Sequence, residues 1–254
     1  MNIKSGFVSI AAFLVLCAPV FAQGLDGLIY VSNQIENFEE EKIVREYVIG
    51  ETAYCAILVQ GFSVDDALSV NITADLKFID PDGNIVFEER NYARVKKTVA
   101  DDEKGLVLDS SFDVKFNEND PVGMYTLEVL IKDHVNNSEN KTTTTLLLFD
   151  TAVSKEIIMT PVTTGGQLDV LWAEYFRSRN PWAIKRIISA LKLGKESSSA
   201  EDAAVGFAAR ESLVFNGKRD AAVLKICKDT LSYTSGSTNE LLKEVLSAME
   251  SSPN

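Results

Sequence analysis

Residues 121–137, PVGMYTLEVLIKDHVNN, decide how the first half of the chain is built. Apolar side chains recur there at every second position, at Tyr125, Leu127, Val129 and Ile131. A period of two is typical of a β-strand with one buried face. The run ends at Asp133 and His134, and an Asp at this point favours a turn because its side chain bonds the backbone two residues on. We therefore interpret residues 133–137 as a strand terminus followed by a loop.

The same period extends over residues 24–150. Candidate strands rich in β-branched and aromatic residues are predicted at 46–62, 70–80, 83–92, 111–116, 123–133 and 141–150. The clearest turn is DPDGN at residues 80–84, in which Pro81 presets φ and Gly83 supplies a positive φ. Short strands with regular turns and no helical pattern between them predict an antiparallel β-sandwich.

The period changes after residues 151–166, which we predict to be a linker because they include MTPVTTGG. Residues 167–254 then show helical stripes, the first formed by Leu168, Leu171, Trp172, Tyr175 and Phe176. Asn180-Pro181 predicts the N-cap and first position of a second helix. A shift of 39 residues aligns Phe176 with Phe215, which is consistent either with a helix-pair repeat or with chance similarity between amphipathic helices.

The amino terminus predicts export. Lys4, a following apolar run, and Val20 and Ala22 before Gln23 predict a signal peptide over residues 1–22. The alternative is a membrane anchor, but the run is shorter than the roughly 20 residues that a span needs. No later stretch predicts a membrane span. Two cysteines remain after residue 22, Cys55 and Cys227, and the sequence leaves open whether they are bridged.

The net charge of −12 is unevenly distributed. Residues 24–150 contain 25 acids and 11 bases, whereas residues 151–254 contain 12 acids and 13 bases. An acidic surface repels phosphate backbones, so nucleic acid is not predicted as a partner. Solubility is the simplest reason for the acidic half.

The sequence contains no pattern that predicts a catalytic residue, a cofactor or a metal site. His134 is the only histidine, and its place at a strand end predicts that it is dispensable. One His and two distant Cys do not match a zinc site, and Asp80, Asp82 and Asn84 lack the glutamate of a calcium loop. Gly217-Lys218 follows a helix rather than a strand, so it is not a phosphate loop.

A partner-binding surface is predicted in the second half. Interfaces lose charge at their centres and keep aromatic residues and Arg. Trp172, Tyr175 and Phe176 fit a buried stripe, which leaves residues at or beyond the first helix–helix turn as the better candidates. The predicted partner-binding residues are Arg177, Arg179, Trp182 and Arg186.

Two resemblances add to this interpretation. VIGETAYCAILVQGF, DPDGNIVFEE and NENDPVGMYTLEVLIKDHVNN resemble exported bacterial immunoglobulin-like domains. LDVLWAEYFRSRNPWAIKRIISAL, AARESLVFN and VLKICKDTL are similar to a small helical module of exported proteobacterial proteins, although Glu211 stands where that module often has an aromatic residue. The resemblances imply an all-β immunoglobulin-like sandwich followed by a separate all-α helical-hairpin, solenoid-like domain.

Three functions are compatible with the sequence. The first is an exported, non-enzymatic protein-interaction module that binds a cell-envelope or extracellular protein. The second is a periplasmic chaperone or enzyme inhibitor that uses an exposed strand edge or loop. The third is a hydrolase with an unrecognised pair of carboxylates.

Overall fold

The structure is a computed structural model that describes residues 2–7, 24–33, 45–100, 103–196 and 199–251. The chain forms two compact units, of which one ends at Phe149 and the other begins at Asp150. The first is called the β unit and the second the helical unit.

The β unit is composed of strands. Those in the described residues are β1 (Asn2–Phe7), β2 (Asp26–Ser32), β3 (Glu46–Val48), β4 (Thr52–Gln60), β5 (Ser69–Ile79), β6 (Ile85–Thr98), β7 (Gly105–Val107), β8 (Ser110–Lys115), β9 (Gly123–Asp133) and β10 (Ser138–Phe149). They form one sheet in the order β1-β8-β4-β2, with β7 also paired to β4, and a second sheet in the order β3-β10-β9-β5-β6.

The two sheets share one hydrophobic core, which aromatic side chains dominate. Phe78 of β5 stacks on Tyr125 of β9 with ring centroids 5.2 Å apart, and it meets Phe112 of β8 edge-on at 5.7 Å. The alternating residues of β9 are at most 1% exposed. The period of two therefore identified the buried face of this strand.

Two predicted turns are confirmed. Gly83 has a φ of +86° between β5 and β6, the backbone region that favours glycine. Strand β9 ends at Asp133, and the Val135 N–H donates to Asp133 Oδ1 over 2.9 Å. Asp133 and His134 therefore close a strand, as the sequence predicts.

The helical unit contains α1 (Ala152–Met159), α2 (Gly165–Ser178), α3 (Pro181–Ala190), α4 (Leu193–Glu196), α5 (Ala200–Gly217), α6 (Ala221–Leu231) and α7 (Gly236–Glu250). Asn180 is the N-cap of α3, and its Oδ1 accepts the Trp182 N–H over 3.0 Å. Ile184 and Ile188, together with their counterparts Val223 and Cys227 at the 39-residue shift, are at most 1% exposed. Helices α3 and α6 therefore bury matching positions.

The predicted fold class is wrong. The chain is a mixed α/β protein, 37% helical and 36% strand, rather than an all-β immunoglobulin-like sandwich followed by a separate all-α domain. Its sheets are not purely antiparallel either, because β3 pairs in parallel with β10. Periodicity reports the local element type, but it does not report how the elements are arranged or which distant strands pair.

The predicted linker and the predicted signal peptide can also be compared with the structure. Helix α1 lies inside residues 151–166, which the sequence assigns to a linker. Most of the predicted signal peptide lies outside the described residues, but residues 2–7 form β1, which pairs antiparallel with β8. Among the described residues, no helix has the length and apolar character needed to cross a membrane.

Candidate protein-binding surface

Arg177, a predicted partner-binding residue, is the centre of an ionic network. Its guanidinium reaches Asp150 Oδ2 and Glu174 Oε1, each over 2.7 Å. Glu174 is only 4% exposed, and its Oε1 also accepts the Ser154 hydroxyl over 2.6 Å. Because Asp150 and Ser154 flank the start of α1, the network ties α1 to the end of α2. Arg177 therefore has a structural role that its position in the sequence does not reveal.

Asp150 is the more accessible carboxylate of this network. The hydrogen bond from Arg177 has the largest effect on the pKa of Asp150. Partial burial opposes the charged form, but the pKa still lies below its usual range. Asp150 is therefore charged at neutral pH.

Arg179 lies at the turn between α2 and α3. It is the C-cap of α2, in the left-handed conformation with φ +59°. Its guanidinium lies 5.3 Å from the centroid of the Tyr175 ring and 5.7 Å from that of Phe176, and its Nη1 donates to Asp220 Oδ2 over 2.6 Å. Burial of Asp220 opposes its charge, but the hydrogen bonds from Arg179 and the Ala222 N–H outweigh that effect and lower the pKa of Asp220.

Trp182 and Arg186 lie on α3. Trp182 is half-buried, and the Lys185 ammonium lies 4.5 Å from the centroid of its ring. Burial lowers the pKa of Lys185, while the charge of Asp229 opposes this shift. Arg186 donates to the carbonyls of Ile158 and Met159 over 2.6 and 2.8 Å. It thus satisfies free carbonyls at the end of α1, as basic side chains commonly do there.

The exposed aromatic residues of the helical unit are the features that the sequence prediction missed. Phe176, assigned by periodicity to a buried stripe, is 47% exposed, and Phe215 is 55% exposed. The Arg219 guanidinium covers the Phe215 ring at 3.4 Å from its centroid. Each Phe is thus paired with an Arg that follows it by three or four residues, an arrangement in which the cation and the ring attract each other.

The two pairs lie at neighbouring helix ends. Arg179 is bound to Asp220, the residue directly after Arg219 and the N-cap of α6. We call Phe176, Arg179, Phe215 and Arg219 the paired Phe–Arg surface. One signal in the sequence pointed to it, because the 39-residue shift aligns Phe176 with Phe215.

The candidate catalytic and metal-binding groups lie in other surroundings. Asp133 accepts the N–H groups of Ser63 and Val135, whereas His134 Nε2 lies 2.8 Å from Thr73 Oγ1, so Asp133 does not orient the imidazole. Cys55 and Cys227 are free and buried, and burial raises the pKa of the Cys227 thiol to about 12. Within the described ranges, no three His, Cys, Asp or Glu side chains are grouped to hold a metal ion.

Comparisons with known proteins add little. No protein-family model and no curated protein matches the chain. A family 123 glycoside hydrolase from Clostridium perfringens is 11% identical over 50% of this chain and 28% of its own, with a TM-score of 0.32. A CARDB domain from Pyrococcus furiosus is 13% identical over 50% of this chain and 90% of its own, with a TM-score of 0.30. A sporulation control protein from Bacillus subtilis is 13% identical over 54% of this chain and 52% of its own, also at 0.30. TM-scores this low carry no argument about fold or function.

Proposed function

We propose that this protein is an exported, non-enzymatic interaction protein that binds a cell-envelope or extracellular protein through the paired Phe–Arg surface. The observation that carries the proposal is the exposure of Phe176 and Phe215, each held beside an Arg. Exposed aromatic and Arg side chains are the usual anchors of protein interfaces, since both bury a large area when a partner binds.

The partner's chemistry follows from the surface. Two apolar rings bordered by two guanidinium groups fit a partner patch that offers an apolar pocket with carboxylates at its rim. Arg179 is already bound to Asp220, so Arg219 is the guanidinium more open to a carboxylate of the partner. A chaperone or an enzyme inhibitor would use such a surface in the same way.

The test is recovery of the partner by variants of the surface. The chain from residue 23 onward is cross-linked to an envelope extract, and proteins captured by the wild type are quantified by mass spectrometry. Phe176→Ala combined with Phe215→Ala is expected to reduce recovery of the specific partner at least tenfold, because a hot-spot aromatic contributes about 2 kcal/mol or more.

The matched control is Tyr233→Ala. Tyr233 is 84% exposed and lies beyond the opposite end of α6 from Asp220. Its replacement is expected to leave both recovery and the melting temperature unchanged. If the double Phe variant captures the same proteins at wild-type levels, the paired Phe–Arg surface is not the binding site.

Export is tested separately. We expect the protein in envelope or culture fractions to begin at Gln23, as N-terminal sequencing would show. A cytoplasmic protein that retains Met1 would contradict export, but it would leave the binding test unaffected.

A further inference from the structure

The β unit contains a polar cavity that the proposed protein interaction does not use. It is lined by Asn71, Thr73, Asn91, Arg94 and His134 and has a volume of about 280 Å³. This is near the lower end of the roughly 300–1,000 Å³ typical of ligand sites. The cavity therefore suits a small molecule of only a few heavy atoms.

A β-bulge forms one wall of the cavity. The pairing of β5 with β6 shifts between Ala74 and Leu76, and residues 90–92 of β6 are left opposite Asp75. Asn91 adopts a φ of +52°, and its N–H donates to Asp75 Oδ1 over 2.8 Å. Bulges of this kind redirect side chains near functional sites. Here the bulge brings Asn91 to the cavity alongside Arg94.

The charge of the cavity is positive although the unit around it is acidic. Thr73 pairs with Arg94 on one side and with Lys132 on the other. Lys132 is neutralised by Asp75 at 2.7 Å. Within the described parts of the chain, the exposed guanidinium of Arg94 has no hydrogen-bond or ion-pair partner. Arg94 is therefore available to bind an oxyanion in two-point geometry.

The side-chain amide of Asn71 supplies a hydrogen-bond acceptor that lacks a partner. Its Oδ1 is buried and meets no hydrogen-bond donor among the described residues. An unmade hydrogen bond of this kind is costly. Asn71 lines the cavity, and rotation about the soft terminal torsion of an Asn side chain can present its oxygen to a ligand hydroxyl.

We propose that this cavity binds a small hydroxylated oxyanion, either a carboxylate or a phosphate monoester, with Arg94 pairing the anionic group and Asn71 accepting a ligand hydroxyl. Thr73 and His134 also line the cavity, held together by the 2.8 Å contact between Oγ1 and Nε2. The site lies in the β unit, so its test does not depend on the protein interaction proposed for the helical unit.

The experiment is an amide-resolved NMR titration of the chain from residue 23 onward. The probes are D-glycerate, glycerol 3-phosphate, propionate as an anion without a hydroxyl, and glycerol as a neutral control. We expect saturable shifts at residues 71, 73, 91, 94 and 134 with D-glycerate or glycerol 3-phosphate, and the one that binds more tightly identifies the anionic group. Arg94→Gln is expected to raise the Kd at least tenfold.

Arg90→Gln is the matched control, since Arg90 is exposed on the same strand but does not line the cavity. It is expected to keep the wild-type Kd. Asn71→Ala is expected to reduce the preference for D-glycerate over propionate. The proposal is overturned if neither anion binds at millimolar concentration, if glycerol binds equally well, or if Arg94→Gln leaves the Kd unchanged.

Discussion

Arg177 shows how a residue's role depends on partners that its local sequence does not reveal. Its sequence context, an Arg beside aromatic residues at a helix end, favoured partner binding. Its contacts are instead with Glu174, one turn earlier, and with Asp150, 27 residues earlier. No local pattern predicts a partner at that separation. The assignment of Arg177 to a binding surface stays a prediction, with a structural function now beside it.

Arg177→Ala is expected to destabilise the protein by about 1–3 kcal/mol, because it leaves the buried Glu174 carboxylate with the Ser154 hydroxyl as its remaining side-chain partner. The cost stays within this range because the Arg177 side chain is itself half exposed. Urea unfolding measures the change. Arg210→Ala is the control, since Arg210 pairs with the exposed Glu211, and its loss is expected to change stability by less than about 1 kcal/mol. Equal effects of the two variants would contradict the role given to Glu174.

The Asp150–Arg177 pair also predicts a pH dependence. Because the pKa of Asp150 is lower in the folded state than in the unfolded chain, the stabilisation is present above the unfolded pKa of about 4 and is lost as the pH falls through the folded-state pKa. Asp150→Asn is therefore expected to be less stable than the wild type at pH 7, with the difference shrinking in acid. Thermal unfolding from pH 7 to pH 3 tests this, with Asp169→Asn on the same unit's exposed surface as the control.

Among the elements, those with strong local signals were predictable and those held by distant contacts were not. The Asn180 cap, the turn at residues 80–84 and strand β9 all follow from local chemistry. Helix α1 has only eight residues, which is too short to show a clear helical period. It is held by Arg186 at its carboxyl end and by Ser154, which donates to Glu174. Such contacts come from elsewhere in the chain.

Helix packing makes a prediction of its own. Replacing a glycine inside a helix by Ala usually stabilises a protein by about 1 kcal/mol. At Gly206 of α5, however, a β-carbon would overlap the backbone of Gly194 in α4. Gly206→Ala is therefore expected to destabilise the protein by about 1–3 kcal/mol, since backbone cannot move aside as a flexible side chain can.

Gly165→Ala is the matched comparison, because a β-carbon on Gly165 meets open space. It is expected to be neutral or slightly stabilising. Differential scanning calorimetry of the two variants separates steric overlap from helix propensity. A stabilised Gly206→Ala variant would show that α4 and α5 do not approach each other as closely as described.

For the whole molecule, the sequence located the strand-rich and helix-rich parts, but the predicted fold class was wrong because the chain is a mixed α/β protein. The sequence did not show the pairing of distant strands either. The candidate surface was found only in part. The helical stripe gave the angular position of Phe176 on α2 but not whether another element covers it. Phe215 lies in α5 and Arg219 in the turn that follows it, away from the predicted residues, and the 39-residue shift pointed only to Phe215.

The first strand gives a prediction at this scale. Strand β1 covers one edge of β8, and an uncovered edge exposes unpaired backbone groups. Removal of residues 1–22 is therefore expected to speed amide hydrogen exchange in residues 110–115, while the interior strand β9 keeps its protection. Exchange measured by mass spectrometry on the two forms tests this. Unchanged exchange at residues 110–115 would show that β1 does not protect this edge.

The parallel pairing of β3 with β10 has a consequence for biosynthesis. Residues 46–48 join residues 147–149, which are made about 100 residues later. At roughly 5–20 residues per second, a ribosome needs about 5–20 seconds to cover that interval. Until β10 emerges, immediately before the first helix, β3 therefore lacks its partner in the second sheet and β9 has an uncovered edge. A nascent chain paused before residue 147 would offer its unclosed sheet to chaperones.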